Sequence, residues 1–291
     1  MIYGGIEAGG TKWVCATGTG PDDLHASVTI PTTAPEETIG RAADFFRANG
    51  ALTAVGIGSF GPIVLDKRSP NWGWITTTPK AGWSGTDLVG TLTAKLDVPL
   101  ALDTDVNAAA LGEHTWGAAQ GLDTFCYLTV GTGIGGGGMA GGKLLHGLLH
   151  PEYGHMRIPH DRVRDPFDGV CPYHGDCFEG LASGGALRAR WGLSAEDLTD
   201  VRAWELEAEY IALGVVNVIC TISPQRIILG GGVMKAPGLL ALVRARVAQL
   251  AGGYFDTPLL RDRVDEYIVT PALGDRSGVL GAIELARVSS G

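Results

Sequence analysis

A chain of 291 residues, 45% hydrophobic and 18% charged, has enough apolar side chains for two medium domains or one large α/β domain. Its formal net charge of −9 excludes the basic footprint of a nucleic-acid binder. No apolar run nears a bilayer span, and the N-terminal residues enter a strand pattern without a basic leader, so a cytoplasmic protein with no membrane partner is expected.

In chain order, Ile2 to Ala8 predicts a strand, Gly9-Gly10 a tight turn, Lys12 to Gly18 its hairpin partner, and His25 to Ile30 a third strand. Pro35, Glu36 and Glu37 open a helix with Ile39, Ala43 and Phe46 on one face. Val55 to Gly58 is a short buried strand. After a Trp-rich loop, Thr86-Asp87 starts a second helix striped by Leu88, Leu92 and Leu96. Pro99 to Asp103 is another strand, and Asp105 to Glu113 begins a third helix.

The second half opens in the same way. Phe125 to Val130 and Ile134 to Ala140 form a hairpin around Gly-Thr-Gly. A long helix around Glu205 to Thr221, a strand over Arg226 to Leu229, a helix near Leu239 to Leu250, a strand over Tyr267 to Thr270 and a last helix from about Gly278 to Val288 follow. Two halves of one order suggest duplicated domains with a cleft between them.

The glycine-rich turns invite three misreadings. Gly5 to Lys12 nearly spells a phosphate-binding P-loop, but Thr11 and Lys12 are in reverse order and strand-like sequence follows where a helix is needed. Gly131-x-Gly133-x-x-Gly136 and Gly56-x-Gly58-x-x-Gly61 match the dinucleotide spacing, yet neither opens a helix. Such turns can instead expose backbone amides to phosphate, with Thr11 and Lys12 adding a hydroxyl and a positive charge. Plain tight hairpins are the alternative.

Five cysteines give no even disulfide framework. Cys15, Cys126 and Cys220 sit in apolar runs and read as small buried hydrophobes. Cys171 and Cys177 lie in a proline-rich loop, where His155, Cys171, His174 and Cys177 offer two thiolates and two imidazoles, the number and softness that suit tetrahedral zinc. A free cysteine pair among scattered histidines is the alternative. His146, His150 and His160 fit the spacing worse and read as ordinary polar residues.

Asp103-Thr-Asp105-Val-Asn107 lies where a strand passes into a helix, the end of an α/β sheet where ligands collect. Asp105 suits a proton acceptor, since the helix dipole would keep it ionised, while Asp103 or Thr104 caps the helix. Glu152 and Glu179 flank the candidate metal loop and suit pairs of sugar hydroxyls.

Taken together, these residues resemble the ROK family of sugar kinases and regulators, within the actin-like (ribonuclease H-like) ATPase superfamily. The motifs are Gly4-Gly-Ile-Glu-Ala-Gly-Gly-Thr-Lys12, Asp103-Thr-Asp-Val-Asn-Ala-Ala-Ala-Leu-Gly-Glu113, Leu128-Thr-Val-Gly-Thr-Gly-Ile-Gly135, Glu152-Tyr-Gly-His155, the Cys171/His174/Cys177 cluster and Gly230-Gly-Gly232. The resemblance implies an α/β fold of two βββαβαβα-type domains flanking a catalytic cleft. It places residues 1–114 in one domain, with 275–291 packing back on it, and 115–274 in the other with the zinc loop. Glu7, Thr76-Thr-Thr-Pro-Lys-Ala-Gly-Trp83 and Asp105 in Thr-Asp-Val-Asn look like the fructokinase branch.

That resemblance implies phosphorylation of fructose at its 6-hydroxyl by ATP with Mg²⁺, with Asp105 as general base. Asn107, Glu152, His155 and Glu179 would bind sugar hydroxyls, and Gly61 and Pro62 would shape the pocket. His155 would hold zinc with one ring nitrogen and face the sugar with the other. Gly10, Thr11, Lys12, Thr132 and Gly133 would hold phosphates, Gly230, Gly231 and Gly232 would lie by the adenosine, and Mg²⁺ would reach Glu7 through water. Gly185, in Ser183-Gly-Gly-Ala, stands in a nucleotide-side turn where proline is expected for this branch. The family also implies a homodimer. Rival readings are a kinase for mannose, allose or glucose, and a sugar-responsive regulator. Regulators of the family carry a helix-turn-helix before the first hairpin, which here begins at Ile2, and the retained Asp105 favours catalysis.

Overall fold

The computed structural model describes residues 1–290. They form two compact units, Met1–Gly121 with Leu144–Pro151 and residues 272–290, and Leu122–Lys143 with Glu152–Pro271.

The first unit is built on β1 (Tyr3–Ala8), β2 (Lys12–Gly20), β3 (Asp23–Pro31), β4 (Ala54–Ser59) and β5 (Leu100–Thr104). The sheet order is β3-β2-β1-β4-β5, antiparallel across β1/β2 and β2/β3 and parallel across β1/β4 and β4/β5. On one face α1 (Pro35–Ala48), with proline in its first turn, buries Ile39, Ala43 and Phe46. These pack with Ile6, Trp13, Ile57 and Trp83. The second helix, α2 (Leu88–Thr93), starts later than its sequence suggests. Asp87 accepts the Gly90 amide at 2.7 Å and so caps the helix rather than entering it, while Thr86–Asp87 pairs with Trp74–Ile75. Leu88, Leu92 and Leu96 are all buried, although Leu96 lies beyond the helix end.

The third helix, α3 (Asp105–Trp116), and the C-terminal helix Ser277–Ser289 cross on the other face of this sheet. Glycine makes the crossing possible. A Cβ on Gly281 would overlap the Ala108 carbonyl, and one on Gly112 would lie 2.7 Å from the Ser277 carbonyl oxygen. Next to this seam the buried Glu113 carboxylate accepts from the amides of Ala118, Ala272 and Leu273 and from the Ser277 hydroxyl at 2.6–3.0 Å. It thereby fastens the C-terminal segment onto α3 with charge-assisted bonds.

The second unit repeats the strand order. Here β6 (Phe125–Val130), β7 (Ile134–Ala140), β8 (Lys143–Leu144), β9 (Ile227–Gly230) and β10 (Ile268–Val269) run β8-β7-β6-β9-β10. Two helices unpredicted from the sequence, α4 (Phe178–Ala182) and α5 (Gly184–Trp191), precede the long α6 (Val201–Ile222), and α7 (Leu239–Ala251) follows β9. The Asp200 side chain accepts the Arg202 amide and starts α6 ahead of the expected point. Leu206, Tyr210, Ile211, Val215 and Val218 of α6 pack in one core with Leu128, Leu229 and Val243. The C-terminal helix is hereafter α8.

Among the described residues the five cysteines form no disulfide. Cys15 and Cys126 are buried, but Cys220 is exposed. Its apolar run is one face of an amphipathic helix, and Cys220 falls on the other face. No helix is long and apolar enough to cross a membrane.

Candidate active site

The end of β5 and the start of α3 place Asp105. Thr104 is the N-cap, its hydroxyl accepting the Asn107 amide at 3.1 Å, so Asp105 becomes the first helical residue. Asp103 does not cap. It turns aside, its Oδ1 accepting the Thr104 amide and Asn107 Nδ2, each at 2.8 Å, and its Oδ2 sitting 2.8 Å from His146 Nε2. Loss of solvent pushes the Asp105 carboxyl up to about 6, against the bonds from Val106 N and from its own backbone. The sequence expectation was that the helix dipole would hold it low. Desolvation outweighs that dipole here. A value of about 6 still leaves it ~90% ionised at pH 7, and it makes a better proton acceptor than an ordinary aspartate.

Glu7 on β1 is the neighbouring carboxyl. Burial first, and the Asp105 charge second, push it up to about 7, partly offset by Lys12. Its Oε2 is buried and has no hydrogen-bond partner among the described residues. A solvated Mg²⁺ fits an acceptor of this kind, since oxygen donors and retained waters are what that ion takes.

The two hairpin turns are braced alike. At the first, Gly9 N donates to Lys12 O, and Thr32 donates to the Gly9 carbonyl through its hydroxyl (2.7 Å) and to the Thr11 carbonyl through its amide (3.0 Å). Lys80 Nζ and Trp83 Nε1 hold the carbonyls of Thr32 and Thr33 in turn. At the second, Gly131 N donates to Gly133 O, and the Gly184 and Gly185 amides at the head of α5 donate to the carbonyls of Gly131 (2.7 Å) and Thr132 (3.3 Å). In both turns the carbonyls are tied back, while the amides of Gly10, Thr11, Thr132 and Gly133 have no acceptor among the described residues. Such amides suit phosphate oxygens.

Gly185 therefore stands in the first turn of α5 rather than in a loop. Proline there would remove the N–H that meets the Thr132 carbonyl, a local reason against proline. Gly231, at φ +97°, packs so closely on the Val130 backbone that a side chain would collide; Gly230 ends β9 and Gly232 caps the 3₁₀ turn Val233–Lys235.

His155, Cys171, His174 and Cys177 bring one ligand atom each to within 4.8 Å of one another. Sulfur to nitrogen distances are 3.7, 3.6 and 3.7 Å, and the two Nδ1 atoms are 3.2 Å apart. Zinc bond lengths in a tetrahedron require about 3.6 Å for S···N and about 3.4 Å for N···N, so the four donors fit that ion. The protein frames the cluster with a Cys171–Gly175 hairpin and with Arg157, which donates to His174 O at 2.9 Å and to Asp176 at 2.8 Å. His155 points Nδ1 into the cluster, leaving Nε2 outside the ligand set.

The other candidates divide. Glu152 is exposed at the start of the 3₁₀ turn Tyr153–His155. Glu179, in the first turn of α4, accepts the Ile134 amide at 2.9 Å and so braces the second hairpin besides flanking the metal loop. Gly61-Pro62 is a cis peptide beside His150, whose Nε2 accepts the Ile63 amide at 3.2 Å. Asn107 is fully buried, and its Nδ2 reaches Asp103 Oδ1 at 2.8 Å and Leu145 O at 3.3 Å. His146 and His150 go beyond the ordinary polar role expected of them. Their partners lie 43 and 87 residues away, and no local spacing could reveal that. His160, bonded to Asp165 and Asp176, is a packing residue.

Residues 3–289 match the ROK family profile. The fructokinase of Zymomonas mobilis is 46% identical over 98% of this chain and 96% of its own, and that of Pediococcus pentosaceus 42% identical over 99% of both. A ROK family glucokinase from Streptomyces griseus, solved with glucose and AMPPNP, superposes with a TM-score of 0.78 at 26% identity, covering 99% of this chain and 100% of that one. The doubled sheet order, the turn and helix positions and these likenesses agree on one conclusion: the chain has the actin-like ATPase fold and belongs to the ROK family.

Proposed function

We propose that this chain is an ATP-dependent fructokinase, converting D-fructose and ATP into fructose 6-phosphate and ADP. The observation that carries the reading is the grouping within the first unit. A desolvated Asp105 at a helix start lies within electrostatic reach of Glu7, which also feels Lys12 beside the amide-lined turn. Such a group can take a proton from a hydroxyl while phosphate is held nearby. The fructokinases at 46% and 42% identity, against 26% for the glucose-bound structure, favour fructose.

In the proposed step the fructose 6-hydroxyl oxygen bonds to the γ-phosphorus, the bond from that phosphorus to the bridging oxygen breaks, and ADP leaves with those electrons. The hydroxyl proton passes to Asp105. Gly10, Thr11, Lys12, Thr132 and Gly133 hold phosphate oxygens, and Gly230 to Gly232 lie by the adenosine. Glu152, Glu179 and the outer nitrogen of His155 bind sugar hydroxyls, with Gly61 and Pro62 shaping the wall. Glu7 would hold Mg²⁺ through water, and that ion would neutralise charge on the transferring phosphoryl group. Zinc on His155, Cys171, His174 and Cys177 would fix the sugar-binding loop without taking part in the chemistry. A cytoplasmic homodimer completes the proposal.

The test is ADP release by the purified chain with Mg-ATP and equal concentrations of fructose, mannose, allose and glucose. Fructose should give the highest kcat/KM, with phosphate on carbon 6 of the product. A higher value for another hexose would move the substrate, and no sugar-dependent ADP would reject the kinase.

A further inference from the structure

The proposed step leaves His146 without a role, although it touches the most heavily bonded side chain beside the base. Asp103 is 5% exposed and His146 43% exposed, and their bond is 2.8 Å long. The other Asp103 oxygen holds the Thr104 amide and Asn107 Nδ2, and Asn107 Nδ2 also reaches Leu145 O at 3.3 Å. Thr104 caps α3, and Asp105 follows it. Both bonds at Asp103 Oδ1 therefore bear on the start of α3, at its cap residue and in its first turn.

The segment around His146 depends on the same contacts. In His146-Gly-Leu-Leu-His150 the Leu148 side chain is fully exposed and Leu149 largely so. No core holds the middle of this segment. Its fastenings are Leu145 O on Asn107, His146 on Asp103, and His150 on the Ile63 amide.

We propose that His146 is a positioning residue for Asp105: its bond locks Asp103, and through Asp103 and Asn107 it sets the first turn of α3 so that the base stays aligned with the attacking hydroxyl. The inference rests on Asp105 being the base of the proposed kinase. Without His146, one oxygen of Asp103 loses its partner, the carboxylate can rotate, and its grip on the Thr104 amide loosens. Misplacement of a reacting group by about an ångström can cost ~100-fold in rate.

His146→Ala, His146→Gln and Asp103→Asn would be compared with the parent in kcat, in KM for fructose and ATP, and in melting temperature. His146→Ala should lower kcat about 10- to 100-fold with KM for ATP within about twofold of the parent, since the phosphate turn is untouched. His146→Gln, which can still donate to Asp103, should recover kcat to within about fivefold of the parent. The Asp103→Asn/His146→Ala double variant should be no slower than the slower single one, because the two act as one unit. If His146→Ala does not fold, His146→Gln against His146→Met, alike in shape but differing in the donor, decides by the same kcat ratio. Parental kcat in His146→Ala, or equal losses with and without the donor, would overturn the assignment. A parent enzyme with no fructose-dependent ADP would instead sink the kinase reading itself.

Discussion

The two units share a strand order yet hold their functional side chains by different physics. In the first, Asp105 is set by a helix cap, a buried carboxylate network and a glycine-lined crossing of α3 and α8, all within one tightly packed core. In the second, Glu152 and His155 stand at a 3₁₀ turn in a long, proline-rich loop and Glu179 on the short helix α4, and four metal-type donors converge from these segments. The hairpin turns differ in the same sense. The first carries Lys12, and the second sits against the Glu179 carboxylate through the Ile134 amide. A repeated architecture need not repeat its electrostatics: the first turn carries a cation, and the second is braced by a carboxylate.

The contrast would break first at Asp105. Asp105→Asn should fold normally and lose about two to four orders of magnitude in kcat. In the parent enzyme kcat/KM for fructose should fall as pH drops below about 6, where Asp105 takes up a proton and can no longer accept one. A kcat near the parent's in the asparagine variant would remove Asp105 from its role.

The second unit should respond to metal loss instead. Cys177→Ser should bind far less than one zinc per chain and raise KM for fructose about tenfold or more, with a smaller change in KM for ATP. Elemental analysis and steady-state kinetics read both effects. A full complement of zinc in that variant would reject the ligand set.

The smallest effect belongs to the crossing helices. Gly281→Ala should destabilise the first unit by about 1–3 kcal/mol, because the new methyl group meets backbone that cannot move aside cheaply. Denaturant melting measures this, and zinc content should stay at the parent level. A loss of zinc in Gly281→Ala would mean that the two regions are not separately held.

Much of the fold was legible because its signals are local. Gly9-Gly10 and Gly131-Thr-Gly133 mark the hairpins, Pro35 and the following acids open α1, and the apolar faces of α1 and α6 repeat at helical spacing. The misplacements have local causes as well. Asp87 reads as the start of a helix, but its side chain bonds to the Gly90 amide and makes it a cap. Helices α4 and α5 escape notice because Gly180, Gly184 and Gly185 break the apolar period, and their stability comes from burial of Phe178, Leu181 and Leu187.

The sequence alone determined the family and singled out the proposed metal donors and the proposed base, since each depends on residue type at short spacing: Cys171, His174 and Cys177 within seven residues, Asp105 two residues after Asp103. Only the tertiary structure decided the state of those groups. Desolvation, a sum over neighbours from distant segments, pushes Asp105 up against the pull of its own helix. The Asp103–His146 bond and the enclosure of Asn107 likewise need β5, α3 and the 145–150 segment brought together. A local pattern can name a carboxylate and even its task, but its proton affinity and its aim are set by what the folded chain packs around it.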